Sequence, residues 1–366
     1  MTSVPAAVMP APGRAVEVRE LPLPELEPGA ALLEVEQSEV CGTDVHLRDG
    51  KLAGVPYPII PGHVSVGRLA RIRGRIADVE GEALSEGERV TFLDVHRTCH
   101  ACWYCLVAQA STRCPQRKVY GITYGLSDGL TGGWARVVHL KPGTHCIRLQ
   151  QDVPTTSFMA GGCALPTALH AVERGEIAIG DQVLVLGSGP VGLAAIILSD
   201  LRGAEAVLCI GGPTKRLRTA ADVGACATLD FQSCDAMAQR EWVLGRTGGR
   251  GADVTIEATG DPVAVAQAMR CTRDGGRVVV VGQYTDHGSV SFNPHLDLNV
   301  KHLDVRGCWG SGFSHFHRGA RLLRDPSRRA IWERIPLQAY ALEHLNEALD
   351  DVAAGRVVKA LVDPRA

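Results

Sequence analysis

A run of apolar residues followed at once by three spaced glycines constrains the fold more than any other feature of this sequence. The segment reads VLVLGSGPVGLAAI, with Gly187, Gly189 and Gly192 in G-x-G-x-x-G register between a predicted strand and a helix that opens at Pro190. In such a turn the first glycine permits a tight bend, the second lets a pyrophosphate approach the backbone, and the third lets the helix pack on the strand. The segment predicts a dinucleotide site, with a plain strand-to-helix turn as the alternative.

The surrounding sequence indicates two kinds of domain. After about residue 165, the apolar strands QVLVLG, AVLCIG, ADVTIEA and RVVVVG alternate with helical stretches at 190–200, 214–223 and 262–270. This alternation is typical of a doubly wound parallel sheet. The first 150 residues instead contain short strands bounded by Gly or Pro, which is typical of a β-rich domain. At about 150 residues per domain, the length also favours two domains.

Composition and charge exclude several classes of protein. Apolar residues make up 45% and charged residues 21% of the chain, which argues against a disordered or fibrous protein. The 38 Lys and Arg nearly balance the 40 Asp and Glu, so no basic field points to nucleic acid or an anionic membrane. Neither a secretory signal nor a stretch of about 18 uninterrupted apolar residues is found. We therefore expect a cytoplasmic protein with a small-molecule partner.

The twelve cysteines are unevenly distributed. Four of them follow the pattern C-x2-C-x2-C-x8-C, namely Cys99, Cys102, Cys105 and Cys114. This spacing predicts a closed, structural zinc site, with buried or redox-active thiols as the alternative. A dispersed pair, Cys41 in CGTDVH and His63 in PGHVSVG, indicates a second site whose third ligand the spacing does not identify. Six others are predicted to be small buried apolar residues, at positions 146, 209, 226, 234, 271 and 308.

The end of the second strand of the doubly wound domain bears on the choice of dinucleotide. An acidic residue that binds the ribose 2′-hydroxyl usually ends this strand, but here the sequence AVLCIGGPTKRL has Gly211 and Gly212. Without that carboxylate a 2′-phosphate is not repelled, and Lys215, Arg216 and Arg218 follow closely. The pattern favours NADP(H) over NAD(H). The alternative is that these residues are solvated charges on the next helix.

Taken together, these motifs resemble the zinc-containing medium-chain dehydrogenase/reductase family, which includes alcohol, polyol and threonine dehydrogenases. The likeness covers nearly the whole chain. It implies a GroES-like domain at 1–164 and 310–366, with a zinc lobe at about 96–118. A Rossmann domain at 165–309 would interrupt it, with the active site in the cleft between the two. It also implies a homodimer or homotetramer, commonly formed through the edge of the Rossmann sheet near residue 305.

The resemblance assigns catalytic roles to particular positions. Cys41, His63 and Cys163, which stands 24 residues before Gly187, match the three protein ligands of a catalytic zinc. Further matched residues are Thr43, which bonds the substrate oxygen, His46, which relays its proton, and Asp44, which orients the histidine ligand. The resemblance implies two cofactors, namely zinc, with two ions per chain, and NAD(P)(H). The activity that it implies is reversible hydride transfer between an alcohol and NAD(P)(H).

Other matches concern the cofactor and the substrate. Thr167 and Val191 match residues beside the nicotinamide, Pro190 lies within the glycine motif, and Lys359 matches a basic residue near the pyrophosphate. Trp134 matches a wall of the substrate pocket, where a bulky indole would favour a flat or cyclic secondary alcohol. Three further residues are expected near that pocket, namely Tyr57, Val95 and His96.

Two departures from the family pattern leave alternatives open. Many relatives have Glu after the ligand histidine, whereas this chain has Val64, and the zinc lobe has eight residues in its last interval where seven are usual. Val64 keeps open a zinc-independent enoyl or quinone reductase of the same superfamily. A non-catalytic structural or sensory protein that binds the cofactor, and an epimerase that oxidises its substrate transiently, are further alternatives.

Overall fold

The computed structural model describes residues 2–366, which divide into two compact units. The first unit comprises the chain through Gly162 together with Gly312–Pro326 and Pro336–Ala366. The second comprises Cys163–Ser311 and Ser327–Ile335. The two main junctions lie two residues from the expected ones, and the return of Ser327–Ile335 to the second unit was not expected. Within the described residues, no helix has both the length and the apolar composition needed to cross a membrane.

Strands occur in both units. In chain order they are β1 Ser3–Val8, β2 Glu17–Pro22, β3 Ala31–Val40, β4 Ser65–Ile72, β5 Arg89–Phe92, β6 Val95–Arg97, β7 Lys118–Val119, β8 Val137–Leu140, β9 Cys146–Arg148, β10 Gln182–Leu186, β11 Ala206–Gly211, β12 Ala227–Asp230, β13 Ala252–Glu257, β14 Thr272–Val280, β15 Asp304–Gly307, β16 Leu337–Tyr340 and β17 Lys359–Val362.

Most of the longer helices belong to the second unit. In chain order the helices are α1 Gly42–Arg48, α2 Trp103–Leu106, α3 Thr155–Gly161, α4 Ala164–Arg174, α5 Pro190–Leu201, α6 Thr214–Asp222, α7 Ala236–Leu244, α8 Pro262–Cys271, α9 Phe313–Leu322, α10 Pro326–Arg329 and α11 Leu345–Ala353. A π-helical segment, Pro294–Asn299, precedes β15.

A six-stranded parallel sheet forms the centre of the second unit. Its strand order is β12-β11-β10-β13-β14-β15, with every neighbouring pair parallel. The central strand β10 carries Val183, Leu184 and Val185, all fully buried, as expected for a strand covered on both faces. The order reverses beside β10, and in such sheets ligands bind beyond the carboxyl ends of the strands at that reversal. The glycine motif lies there.

The first unit is built on antiparallel strands. The long strand β3 pairs along its length with β4, with β8 near its start and with β17 near its end. Below this sheet lies an apolar core that includes Met9, Leu47, Ile60 and Leu349. The strand β3 ends at Val40, directly before Cys41, so the end of this sheet positions the CGTD segment. The β-rich unit and the doubly wound unit confirm the predicted fold class.

Several details differ from the sequence expectations. The strand β12 and the helix α7 were not anticipated, because ATLD is short and only half-buried and α7 buries only Val243. Four of the six remaining cysteines are buried as expected, but Cys226 is exposed and Cys234 is half-buried. Cys226 lies in the bend between Gly224 and β12, where its side chain is exposed.

Candidate metal centres and cofactor site

The first candidate metal centre consists of the four clustered cysteines, which we call the four-cysteine cluster. The sulfur atoms of Cys99, Cys102, Cys105 and Cys114 all lie within 4.8 Å of one another. Sulfurs bound to one tetrahedral zinc at about 2.3 Å would be roughly 3.8 Å apart, so this group is close to the arrangement that a zinc ion requires. The short sheet β6·β7 closes the loop that carries them.

Backbone groups around this cluster favour thiolates. The N–H groups of Ala101 and Cys102 donate to the Cys99 sulfur at 3.5 and 3.3 Å, and the N–H of Cys99 donates to the Cys114 sulfur at 3.3 Å. The two bonds to the Cys99 sulfur, the one from Ala101 first, help to lower the pKa of Cys99 to about 6, whereas burial and the neighbouring thiols raise the pKa of Cys105 to about 12. A zinc site requires deprotonated thiols, and the N–H groups of Ala101 and Cys102 favour that form at Cys99.

The second candidate centre, the three-ligand cluster, consists of Cys41, His63 and Cys163. One ligand atom from each lies within 4.8 Å of the others, and the Cys41 sulfur is 3.9 Å from His63 Nε2. Cys163 follows Gly162 directly, so its place is fixed by the end of α3. Two sulfurs and one imidazole are a donor set suited to zinc, and three protein ligands leave one coordination position open.

Electrostatics also favour a cation in the three-ligand cluster. Burial by itself would lower the pKa of His63, but the neighbouring Cys41 thiolate, its hydrogen bond and Asp44 outweigh burial and raise that pKa to about 10. Burial, with the Cys41 thiolate, raises the pKa of Asp44 well above its usual value. The Cys41 thiolate, which favours a proton on this imidazole, would also favour a cation held by the same ligands.

The helix α1 positions the residues that follow Cys41. The Cys41 sulfur caps the helix by accepting from the Thr43 N–H at 3.3 Å, and Asp44 Oδ2 accepts from the Cys41 N–H at 2.8 Å. Asp44 therefore orients the ligand cysteine. Asp44 was expected to orient the ligand histidine, but His63 donates no hydrogen bond to it, since within residues 2–366 Asp44 Oδ1 and His63 Nδ1 are buried without hydrogen-bond partners. His46 lies on the same helix and is half-buried.

The expected pocket residues are engaged within the first unit. The backbone N–H groups of Gly133 and Trp134 donate to the carbonyls of Gly62 and Pro61, and so hold the turn that carries His63. The Trp134 side chain is fully buried, and its indole N–H donates to the Glu39 carbonyl at 2.9 Å. Trp134 is thus a core residue that braces β3, and the prediction that it walls the substrate pocket is corrected, because a side chain with no exposed surface cannot contact a ligand.

The other three pocket candidates lie near that core. The Tyr57 hydroxyl donates to the Leu47 carbonyl, which anchors the end of α1. Val95 packs on the core that contains Trp134. The His96 ring nitrogens contact the Tyr124 hydroxyl and the Pro142 carbonyl at 2.5 and 3.0 Å, and burial lowers the pKa of this imidazole. Both nitrogens of His96 are therefore occupied by protein partners.

The glycine motif has the geometry that its sequence predicts. Gly187 follows β10, Gly189 caps α5, and Pro190 is the first residue of that helix, with Val191 half-buried beside it. A Cβ atom on Gly192 would lie 1.9 Å from the Gly187 carbonyl oxygen, so no larger residue fits there. The free N–H groups at the start of α5 can therefore receive a pyrophosphate at close range. On α4, the Thr167 hydroxyl donates to the Cys163 carbonyl at 2.9 Å.

The end of β11 has two features that sequence reasoning missed. The Ser188 hydroxyl bonds both backbone groups of Gly212, at 3.0 and 3.1 Å, which ties the glycine motif to the end of β11 after Gly211. Asp230, at the end of β12, lies beside Gly212, and its Oδ1 accepts from the Gln232 N–H at 3.0 Å. Recognition of ATLD as a strand would have placed this carboxylate.

The basic residues expected near the cofactor differ in their surroundings. Lys215 and Arg218 are exposed on α6, whereas Arg216 is half-buried, and burial lowers its pKa. The Lys359 ammonium is buried in the first unit, 2.9 Å from Glu39 Oε1. The structure therefore pairs Lys359 with a carboxylate of its own unit, in contrast to the expected role at the pyrophosphate.

Comparisons with known proteins agree with this architecture. The family model described as the alcohol dehydrogenase GroES-like domain matches residues 27–151, and the one described as zinc-binding dehydrogenase matches residues 190–325. The 5-exo-hydroxycamphor dehydrogenase of Pseudomonas putida is 30% identical over 98% of each chain. A probable alcohol dehydrogenase of Mycobacterium tuberculosis H37Rv is 33% identical over 96% of this chain and 95% of the relative.

Solved structures extend the likeness to the whole fold. An alcohol dehydrogenase from Thermotoga maritima has a TM-score of 0.92 and 30% identity over 99% of both chains. A zinc-binding dehydrogenase from Sinorhizobium meliloti 1021, solved bound to NADP, has a TM-score of 0.87 and 27% identity over the whole of both chains. The chain belongs to the zinc-containing medium-chain dehydrogenase family and is an oxidoreductase that acts on CH–OH groups.

Proposed function

We propose that the chain is an alcohol dehydrogenase, or ketone reductase, with one catalytic and one structural zinc ion, which transfers a hydride between a secondary or cyclic alcohol and NAD(P)(H). One observation carries this proposal: two separate groups of metal-ligand atoms, one with four sulfurs and one with Cys41, His63 and Cys163. A complete tetrahedral set is structural, whereas a set of three leaves a position for substrate.

The residues of α1 have separate tasks in this reaction. Zinc supplies a Lewis acid that lowers the pKa of a bound alcohol, and the nicotinamide supplies the hydride acceptor. Thr43 lies next to the ligand Cys41 and bonds the substrate oxygen. His46, three residues further on, lies on the same face of the helix and passes the alcohol proton towards solvent. Asp44 fixes the backbone of Cys41 and so the place of its sulfur.

The substrate class is supported by one relative. The Pseudomonas putida relative is named for a hydroxycamphor, and it matches 98% of this chain. With Trp134 in the core, the indole no longer supports a narrow pocket. The proposal that the substrate is a cyclic secondary alcohol therefore rests on this relative alone.

A substrate screen combined with metal analysis tests the proposed function. We expect two zinc ions per chain and reduction of NAD(P)+ by secondary alcohols, followed by the absorbance of the reduced nicotinamide. Reduction of an enone or a quinone by a zinc-free protein would favour the alternative reductase. A protein that binds the dinucleotide but turns over no alcohol or ketone would contradict the proposal.

We propose a preference for NADP(H), which leads to a testable change of selectivity. No acidic residue ends β11, and Lys215 and Arg218 are exposed on α6. The double variant Lys215→Ala/Arg218→Ala is expected to raise the KM for NADP+ about tenfold, because each charge-assisted hydrogen bond contributes about 1.5–3 kcal/mol before solvent screening. The KM for NAD+ should not change.

The matched control for selectivity is Arg202→Ala, which removes an exposed cation at the end of α5. This variant should keep the wild-type KM for both cofactors. A wild-type enzyme that prefers NAD+ would contradict the proposal, and would point to Asp230 as the carboxylate that selects the ribose.

The assembly and compartment are also proposals. The edge strand β15 leaves Val305 exposed, and the preceding π-helical segment leaves Leu296 exposed, as does Val300 next to it. Exposed apolar residues beside an unpaired strand edge favour pairing with a second copy. We therefore propose a homodimer or homotetramer, which light scattering will distinguish. For the compartment we propose the cytoplasm, because its reducing environment keeps cysteines such as these twelve out of disulfides.

A further inference from the structure

A fully buried ion pair lies in the sheet of the first unit, on the strand that leads to Cys41. The Lys359 ammonium is 2.9 Å from Glu39 Oε1, and each side chain is 1% exposed. Glu39 is opposite Leu361 in the β3·β17 ladder, so Glu39 and Lys359 project from the same face. Charged side chains are almost never buried this completely unless they are paired.

The pair lies against the residues that precede Cys163. The Lys359 ammonium also donates to the Gly161 carbonyl at 3.3 Å. At Gly162, where φ is +46°, a Cβ atom would lie 2.1 Å from Glu39 Oε2 and 2.5 Å from Lys359 Nζ. The backbone of Gly162 therefore rests directly on both charged groups, and only glycine can approach them in this way. The next residue along the chain is the ligand Cys163.

The same face of β3 leads to another ligand. Cys41 follows Glu39 by two residues, and its backbone is still extended, so its side chain projects from the same side of the strand as the Glu39 carboxylate. The backbone of Glu39 is fixed independently by the bond from the Trp134 indole to its carbonyl. The Trp134 side chain thus fixes the backbone of Glu39, and the Lys359 ammonium neutralises the charge of its carboxylate.

The residue after the ligand histidine, Val64, also distinguishes this chain from many relatives. Many relatives have a carboxylate directly after the ligand histidine, whereas this chain has the apolar, buried Val64 there. A buried carboxylate is found at residue 39, on β3, the strand that ends directly before Cys41.

We propose that Glu39 and Lys359 are positioning residues that hold the Gly161–Gly162–Cys163 segment and thereby place the Cys163 sulfur for zinc binding. Lys359 fixes the Gly161 carbonyl, and the Glu39 carboxylate balances its charge and supports Gly162. This inference rests on the proposed catalytic zinc, and it replaces the expected role of Lys359 at the pyrophosphate.

The test uses a double variant that keeps the pair's volume but removes its charges. Either single change leaves an uncompensated buried charge, which is strongly destabilising. The double variant Glu39→Gln/Lys359→Met is expected to remain folded, because a buried ion pair replaced on both sides leaves no lone charge. The matched control removes an ion pair in the second unit, Arg273→Met/Asp253→Asn, whose two groups are 2.5 Å apart.

Metal binding is the readout that separates positioning from folding. Zinc affinity at the three-ligand cluster is measured by competition with a chelator, and ligand geometry by the visible spectrum of the cobalt(II)-loaded protein. The cobalt spectrum of the four-cysteine cluster alone is measured in the Cys41→Ser variant and is subtracted from the spectrum of each protein. We expect the double variant to bind zinc about 10–100-fold more weakly, as for losses of groups that orient metal ligands, with a changed cobalt spectrum. The control should match the wild type.

The outcomes distinguish this inference from the proposed function. A wild-type chain with two metal ions and a folded double variant with unchanged zinc affinity and cobalt spectrum would overturn the positioning role alone. A wild-type chain that holds metal only at the four-cysteine cluster would overturn the proposed function and this inference with it. Binding of NAD(P)H, followed by its fluorescence, should not change in the double variant. A tenfold weaker binding of NAD(P)H with unchanged zinc affinity would overturn the positioning role and would show that Lys359 binds the pyrophosphate of the cofactor.

Discussion

Cys163→Ala is expected to lower kcat/KM for alcohol oxidation by at least about 10³-fold, while the chain stays folded and keeps one of its two zinc ions. The change removes a sulfur from the three-ligand cluster and leaves Cys41 and His63, which are too few ligands to retain the metal at catalytic concentrations. Lewis-acid stabilisation contributes several kcal/mol to such reactions, and about 4 kcal/mol corresponds to 10³ in rate. Steady-state kinetics and metal content per chain are the measurements.

The control for this prediction is another cysteine of the second unit. Cys226 is exposed and belongs to neither cluster, so Cys226→Ser should retain two zinc ions and full activity. Cys163 is half-buried at the N-cap of α4, and its replacement by alanine removes a single sulfur atom, so the thermal transition of Cys163→Ala should stay close to that of the control. Full activity of Cys163→Ala would show that this sulfur is not a ligand of the reactive metal.

Local patterns explain what could be predicted from the sequence. The helix α5 begins at Pro190 as expected, because glycine and proline act on the few residues around them. The four-cysteine cluster is local as well, since its ligands span 16 residues. The sulfur of Cys163 meets the dispersed pair only through the fold, and the resemblance was needed to select it.

Long-range pairing explains what could not be predicted. Lys359 and Glu39 are 320 residues apart, and only the β3·β17 register brings them to one face. Trp134 is 95 residues from the carbonyl that its indole bonds, so its burial could not be read from neighbouring residues. In both cases the family pattern marked the position, but only the fold shows the partner of the side chain.

Cys102→Ser is expected to release the metal of the four-cysteine cluster and to unfold the lobe that it holds. The helix α2 within this lobe buries none of its residues, and Trp103, Leu106 and Val107 are exposed. With so little apolar burial, metal binding supplies the folding free energy, which for structural zinc sites is about 10–16 kcal/mol in apparent terms. Even a loss of about 3 kcal/mol would lower the Tm of a unit this size by roughly 6–12 °C.

Limited trypsin digestion with calorimetry and metal analysis checks this prediction. Arg113 and Arg117 lie in the loop closed by β6 and β7, so an unfolded lobe will be cleaved there while the sheet of the second unit stays intact. Cys234→Ser is the matched control, because this half-buried thiol belongs to neither cluster. A Cys102→Ser protein with two zinc ions, the wild-type Tm and uncut Arg113 would contradict a structural zinc. Loss of one ion with early cleavage would show that the metal takes the place of a hydrophobic core in the lobe.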